Sequence, residues 1–323
     1  MSYGIIRTKN KGVEFLRSLT IQVTPPQLFE IDTLSLNITR TVTITNAENV
    51  DWEDIDQDEN YIYIGDFGNN DGNRQNLSIY RISKTDYSTS TTILADKIEF
   101  SYEDQINFST TQNSDWDAEA LVVLNDELIV FTKQWQSNGT VAYSVPKEPG
   151  VYKAINKGMY PIQGLVTGAT MNSLTNELFI VGYSQILTPF IAIVSNISEG
   201  NIFNGTVQKT NLDIGLAQIE AIAQVGENTF FISSEKFVNN SPPITLEAKL
   251  FSLKMNNQIE IPEEEGENIE EVEEENKEVL VLFKAYGSNL LQYKLNTKDE
   301  VLGNAIFNSS GQRLTLYHGE RYG

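Results

Sequence analysis

Four stretches of the chain repeat one pattern, and that repetition limits the fold more than any other feature. Each copy is an apolar strand with an acidic residue or a glycine at its centre, followed about a dozen positions on by a second apolar strand. The first copy reads Asp51-Trp52-Glu53-Asp54-Ile55, then Tyr61-Ile62-Tyr63-Ile64 and Gly65-Asp66-Phe67. The second pairs Asp117-Ala118-Glu119-Ala120-Leu121 with Leu128-Ile129-Val130-Phe131. The third pairs Val166-Thr167-Gly168-Ala169-Thr170 with Leu178-Phe179-Ile180-Val181, and the fourth pairs Gln218-Ile219-Glu220-Ala221-Ile222 with Thr229-Phe230-Phe231-Ile232. Glu53, Glu119, Gly168 and Glu220 align, at intervals of roughly 50 to 65 residues.

Asn125-Asp126, Asn176-Glu177 and Glu227-Asn228 separate the two strands of three copies, as tight hairpins require. A third strand follows in each copy, at Leu77 to Ile82, Val141 to Val145, Phe190 to Val194 and Leu250 to Leu253, and Lys97 to Tyr102 supplies a fourth. Three to four short antiparallel strands per repeat predict an all-β propeller of five or six blades. Phe29-Glu30-Ile31-Asp32 and Thr41-Val42-Thr43-Ile44 read as outer strands of a further blade, whereas Met1 to Val23 is basic and unlike the copies. The propeller is expected over residues 1–258, an acidic linker over 259–278, and a small β-sandwich-like module over 279–323.

Charge and composition exclude several functions. Of the net charge of −21, a large part lies between Glu260 and Glu278, which makes that run a solvated spacer. So acidic a chain repels nucleic acid and favours cations. With no Cys and a single His, His318, thiolate chemistry, a disulfide framework and a histidine-rich zinc site are all disfavoured. No stretch reaches the roughly 18 uninterrupted apolar residues of a membrane helix. Met1 to Val13 lacks the apolar core of a signal peptide, so any export signal is expected outside these residues.

The first strand of a propeller blade lines the central channel, so Glu53, Glu119 and Glu220 are expected to converge, with Gly168 leaving space. Hard oxygen ligands suit Ca²⁺ or Mg²⁺. The functional expectation is a Ca²⁺ site at Glu53, Glu119 and Glu220, its shell completed by Asp54, Asp66 and Asp117, with Asp51 nearby. The alternative is that these carboxylates bond backbone amides of neighbouring blades. Lys133 and Glu235, each just past a second strand, are expected near the channel mouth, Lys133 in an ion pair. Arg74 is expected to pair with Asp66 or Asp71 and shape the loop Gly65 to Arg74, which lacks EF-hand spacing. Trp52 and Trp116 are expected in blade packing, and Trp135 at the surface.

Asp51-Trp52-Glu53-Asp54 and Gly65-Asp66-Phe67-Gly68-Asn69-Asn70, with later matches such as Phe131-Thr132-Lys133 and Ser233-Ser234-Glu235, resemble a family of exported propeller proteins from Bacteroidetes. Val279 to Leu314, including Ala305-Ile306-Phe307 and Gly311-Gln312-Arg313, is similar to part of the sorting domain recognised by the type IX secretion system. The resemblance implies a secreted or cell-surface protein with that machinery as a partner, and no defined reaction. The leading expectation is a binding or scaffold module for a protein or glycan ligand. The alternative is a Ca²⁺-dependent propeller hydrolase, lactonase-like or phytase-like. A phosphate substrate would want clustered Lys and Arg, and only Lys133 and Lys236 lie near the channel.

Overall fold

The computed structural model describes residues 25–31 and 38–255 except 173, 199 and 227, together with the backbones of the strands Ile5–Arg7 and Val13–Leu16 and of four strands between Val279 and Tyr317. The described strands form a propeller of five blades. Blade 1 contains β1 (Ile5–Arg7), β2 (Val13–Leu16), β3 (Gln27–Ile31) and β4 (Ile38–Ile44), hydrogen-bonded in that order. Blade 2 begins with β5 (Trp52–Gln57), β6 (Tyr61–Asp66) and β7 (Leu77–Ser83). A short helix, α1 (Lys84–Thr89), then leads to β8 (Thr92–Ile93), which pairs in parallel with β4, and to β9 (Asp96–Tyr102), the outer strand of blade 2.

Blade 3 is β10 (Ala118–Leu124), β11 (Glu127–Thr132), β12 (Thr140–Pro146) and β13 (Gly150–Tyr160). Blade 4 is β14 (Leu165–Asn172), β15 (Glu177–Tyr183), β16 (Pro189–Ser195) and β17 (Thr206–Asn211). Blade 5 has three strands, β18 (Gln218–Gln224), β19 (Thr229–Glu235) and β22 (Lys249–Lys254); a separate hairpin, β20 (Phe237–Asn240) with β21 (Pro243–Leu246), lies between the last two in sequence. A further four-stranded sheet follows, made of β23 (Val279–Leu282), β24 (Leu290–Leu295), β25 (Val301–Phe307) and β26 (Arg313–Tyr317). The expected acidic linker lies outside the described residues, as do Glu227 and His318.

The inner strands β5, β10, β14 and β18 are neighbours in succession, and β1 lies between β18 and β5. The N-terminal segment, which the repeat pattern does not cover, therefore supplies the inner strands of the blade that closes the ring. Blade number and closure depend on those residues.

Blades 2, 3 and 4 are packed on both faces, which is why their second strands, β6, β11 and β15, are apolar runs. Tyr63, Phe100 and Tyr102 of blade 2 pack on Leu121, Val130 and Tyr143 of blade 3. Phe131 of blade 3 shares a core with Ile180 and Phe190 of blade 4, and Phe179 stacks on Phe230 of blade 5 with ring centroids 4.5 Å apart. Burying side chains of this size contributes about 1.5–3 kcal/mol each. Asn125 and Asn176 take φ of 52° and 55° at their hairpins, the left-handed backbone for which Asn is suited.

Polar side chains tie the inner strands together. Asp54 accepts from Leu121 N at 2.8 Å and Asp56 from Val123 N at 2.7 Å, joining blades 2 and 3, while Thr167 Oγ1 donates to Ile219 O at 2.6 Å between blades 4 and 5. Blades 2 and 3 also merge at the rim through the parallel pair β9 and β13.

Gly168 marks the tightest of these approaches. A Cβ there would lie 2.8 Å from Ala221 Cα and 3.0 Å from Glu220 O, both backbone atoms of β18. Gly168→Ala should therefore cost about 1–3 kcal/mol through overpacking, read as a lower urea midpoint at unchanged m; an unchanged midpoint would mean that blades 4 and 5 are not in backbone contact at this point.

Candidate functional site

In four blades the ladder between the first two strands slips by one residue near the start of the inner strand. The slips fall between Trp52 and Asp54, Ala118 and Ala120, Val166 and Gly168, and Ile219 and Ala221. The bulged residues are therefore Glu53, Glu119, Thr167 and Glu220. A bulge leaves its residue out of the ladder and re-aims its side chain. The equivalent of the three glutamates is Thr167, not Gly168, which is paired with Val181 and closes the contact with β18 rather than opening space.

One residue past the partner of the residue before each bulge comes a second set of equivalent positions: Phe67, Lys133, Tyr183 and Glu235. Lys133 Nζ donates to Glu119 Oε1 at 2.9 Å. The ammonium lies 4.7 Å from the centre of the Trp135 ring and 5.4 Å from that of Tyr183. Glu53, Glu119, Glu220 and Lys133 are exposed by 5%, 8%, 3% and 3%, so this group is enclosed. The expected Lys133 ion pair is present. Tyr183 was not anticipated, although aligning Val181-Gly182-Tyr183 with Phe131-Thr132-Lys133 and Ser233-Ser234-Glu235 would have found it.

The remaining acidic residues are placed as follows. Asp117 sits beside the pair, accepting from Asn69 N at 2.6 Å and from Trp135 Nε1 at 3.0 Å. Trp135 is thus half-buried as a cover over Lys133 and Asp117 rather than a free surface ring, while Trp52 is fully buried. The carboxyl groups of Asp51 and Glu53 both lie against Gly68, and burial raises the Asp51 carboxyl above its usual range. Asp54 points away from this group into the seam between blades 2 and 3, accepting from Ile55 N and Leu121 N, both at 2.8 Å. Asp66 accepts from Asp51 N at 3.0 Å and from Arg74 Nη2 at 2.9 Å. Arg74 also donates to Gly68 O at 2.7 Å, so it shapes the loop from Gly65 to Arg74. Among the described residues no group of three or more His, Cys, Asp or Glu is placed to hold a metal ion, and the positive charge next to Glu119 is that of Lys133.

Electrostatics follow from burial. Loss of water raises the Glu220 carboxyl well above its usual range, and Glu235 adds to this while Lys133 opposes it. Glu220 Oε1 is buried and accepts no hydrogen bond among the described residues. Asp51 is raised by burial and by Glu119, and Glu235 by burial. Burial and then Glu119 push Asp117 up to about 7, against Lys133 and the bonds from Asn69 and Trp135. Burial disfavours charge on Lys133, but Glu119, Tyr183, Glu220 and Asp117 outweigh it and raise its pKa well above normal. The centre is chemically a charged lysine among carboxyls that burial pushes toward their neutral forms.

No protein-family model matches the chain, and no curated protein matches it. Solved structures similar to it include an exo-β-1,3-galactanase from Phanerochaete chrysosporium, at 14% identity and a TM-score of 0.42 over 90% of this chain and 66% of that one. A putative 6-phosphogluconolactonase from Bacteroides uniformis matches at 9% identity and a TM-score of 0.39, over 97% and 82%. A quinoprotein alcohol dehydrogenase-like protein from Bacteroides thetaiotaomicron matches at 11% and 0.35, over 98% and 65%. The chemistry of the centre therefore has to follow from its own residues. Among the described residues no helix is long and apolar enough to cross a membrane.

Two measurements check this reading of the centre. Lys133→Met should cost about 3–5 kcal/mol, because it leaves buried carboxylates uncompensated, and the double variant with Glu119→Leu should recover part of that loss in urea unfolding. Asp117 titrates near 3.8 when unfolded and about 7 when folded. Its stabilising contribution is therefore full below the unfolded value and lost as the pH rises through the folded one. Stability should fall between about pH 4 and 7, by at most ~1.4 kcal/mol per pH unit for this one proton. Asp117→Asn should flatten that slope, and an unaltered slope would show that Asp117 is ionised in the native state.

Proposed function

We propose that this chain is an exported or surface-associated β-propeller acting as a binding or scaffold module for a protein or glycan ligand, with no reaction of its own. The observation that carries the reading is the enclosure of the central acidic group. Glu119 is bonded to Lys133, Asp117 accepts from Trp135 and Asn69, and Glu53, Glu119 and Glu220 are almost closed to solvent, which leaves the loops at the ends of the ring as the surface open to a partner.

The loops where the inner strands begin form a fixed platform. Gln105 Nε2 donates to Gly72 O at 2.8 Å, and Thr111 N and Ser114 N donate to Asp71 O and Asn70 O, both at 2.8 Å. Asp115 accepts from Gln136 N at 2.7 Å, and Gln185 Nε2 donates to Asn138 Oδ1 at 3.0 Å. Loops held in this way lose little conformational freedom on binding. Ile106 and Ile186 stand on this surface with 93% and 76% exposure, as apolar anchors for a ligand. The motif resemblance at Asp51 to Asp54 and Gly65 to Asn70, and that of the C-terminal residues, supports export with the type IX secretion machinery as a partner.

The rival reading, a Ca²⁺-dependent hydrolase of lactonase-like or phytase-like kind, draws on the surplus of carboxyls around Lys133. Chelator-treated protein titrated calorimetrically with Ca²⁺ should give no heat and no rise in Tm, and should turn over neither lactones nor phosphate monoesters. Ca²⁺ binding together with turnover that Glu119→Gln abolishes at retained fold would replace the scaffold reading with the hydrolase.

A further inference from the structure

Blades 2 and 3 hold three oxidisable rings in succession whose chemistry neither the central charges nor the loop platform uses. Trp116 sits half-buried in the segment between β9 and β10. Its ring lies 5.5 Å, centre to centre, from that of Tyr102 at the end of β9, and Tyr102 lies 4.4 Å from Tyr143 of β12. Rings this close are in contact, so an electron removed at one can be replaced from the next without crossing solvent.

The three rings differ in what they can do with a proton. A phenol that loses an electron becomes a strong acid, and it yields a neutral radical only where a base takes its proton. Tyr143 donates to both oxygens of Asp104, at 2.9 and 3.1 Å, and Asp104 is exposed. Burial and then Asp104 hold the Tyr143 phenol well above its usual range, so it is neutral before oxidation. Tyr102 is completely buried, and its hydroxyl has no hydrogen-bond partner among the described residues. Oxidised, it would be a cation in a dry site, which is unfavourable. Tyr102 is therefore a bridge and Tyr143 a terminus. Tyr63 provides a comparison, because its hydroxyl donates to Asp58 at 2.8 Å but its ring meets that of Tyr61, 6.3 Å away. The Arg81 guanidinium lies 4.4 Å from the centre of the Tyr61 ring, and its charge opposes a positive charge there.

We propose that Trp116, Tyr102 and Tyr143 form a relay that carries one oxidising equivalent from the half-exposed indole to the pair of Tyr143 and Asp104. A one-electron oxidant, such as an inorganic radical, takes an electron from Trp116 and is reduced. An electron from Tyr143 then refills the indole by way of the Tyr102 ring, while the Tyr143 phenolic proton passes to the Asp104 carboxylate and on to solvent. The oxidant has gained one electron, Trp116 is restored, and Tyr143 has lost one electron and one proton. This activity needs no bound ligand and is independent of the binding role proposed above.

Azide radicals generated by pulse radiolysis, which oxidise indole ahead of phenol at neutral pH, test the relay on the full chain. Indole-radical absorption should decay as tyrosyl-radical absorption rises, at a rate independent of protein concentration. Tyr143→Phe and Trp116→Phe should each lose that rise, whereas Tyr63→Phe should keep it. Asp104→Asn should slow it by about tenfold or more, since a positioned base contributes at least that much to proton transfer. A tyrosyl rise in Tyr143→Phe or Trp116→Phe equal to that of the unmodified chain, or a rate that scales with protein concentration, would overturn the proposal. Should those two variants fail to fold, Asp104→Asn, at an exposed position, decides the matter, and an unslowed rise there overturns it as well.

Discussion

Each bulge that turns an acidic side chain toward the axis brings negative charge closer to its neighbours, and the ring can close around them because Lys133 lies where those charges meet. Its ammonium is bonded to Glu119 and faces Glu220 and Asp117 through a region from which water is excluded. One lysine does not neutralise the group, and burial pushes the remaining acids toward their neutral forms. Asp51, Glu220 and Asp117 all have their carboxyls raised by loss of water.

The same device works at lower cost away from the axis. Where inner strands of adjacent blades diverge too far for a regular ladder, a side chain supplies the missing acceptor or donor: Asp54 and Asp56 reach Leu121 and Val123, and Thr167 reaches Ile219. These bonds hold the blades at a fixed spacing, and the stacked aromatics between blades, such as Phe179 on Phe230, add the dispersion and burial that make the spacing favourable. A frame of this kind keeps the loops at its end rigid, which connects the packing of the blades to the binding role proposed for them.

Some of the site was readable before any coordinates. The spacing of Glu53, Glu119 and Glu220 places them on equivalent inner strands, and Lys133 follows because it lies one residue beyond a second strand. The assignment of Gly168 went wrong by one position, because a bulge changes which residue faces the axis and sequence spacing carries no record of where the ladder slips. Asp54 and Asp66 lie among the other acids in sequence but turn to Leu121 N, Asp51 N and Arg74. Their direction is set by the strand face and the loop path, which a string of letters does not contain.

By itself the sequence determined the all-β architecture, the repeat, the hairpin turns at Asn125 and Asn176 and the enclosure of four blades in apolar runs, because these depend on local backbone preference and on hydrophobic periodicity. Only the tertiary structure decided that the described residues form five blades, since β1 has no counterpart in the repeat and is defined by lying between β18 and β5, with β2 paired beside it. It also decided that Tyr183 and Trp135 close over Lys133. These are relations between distant segments, fixed by closing a ring, and no local pattern encodes them.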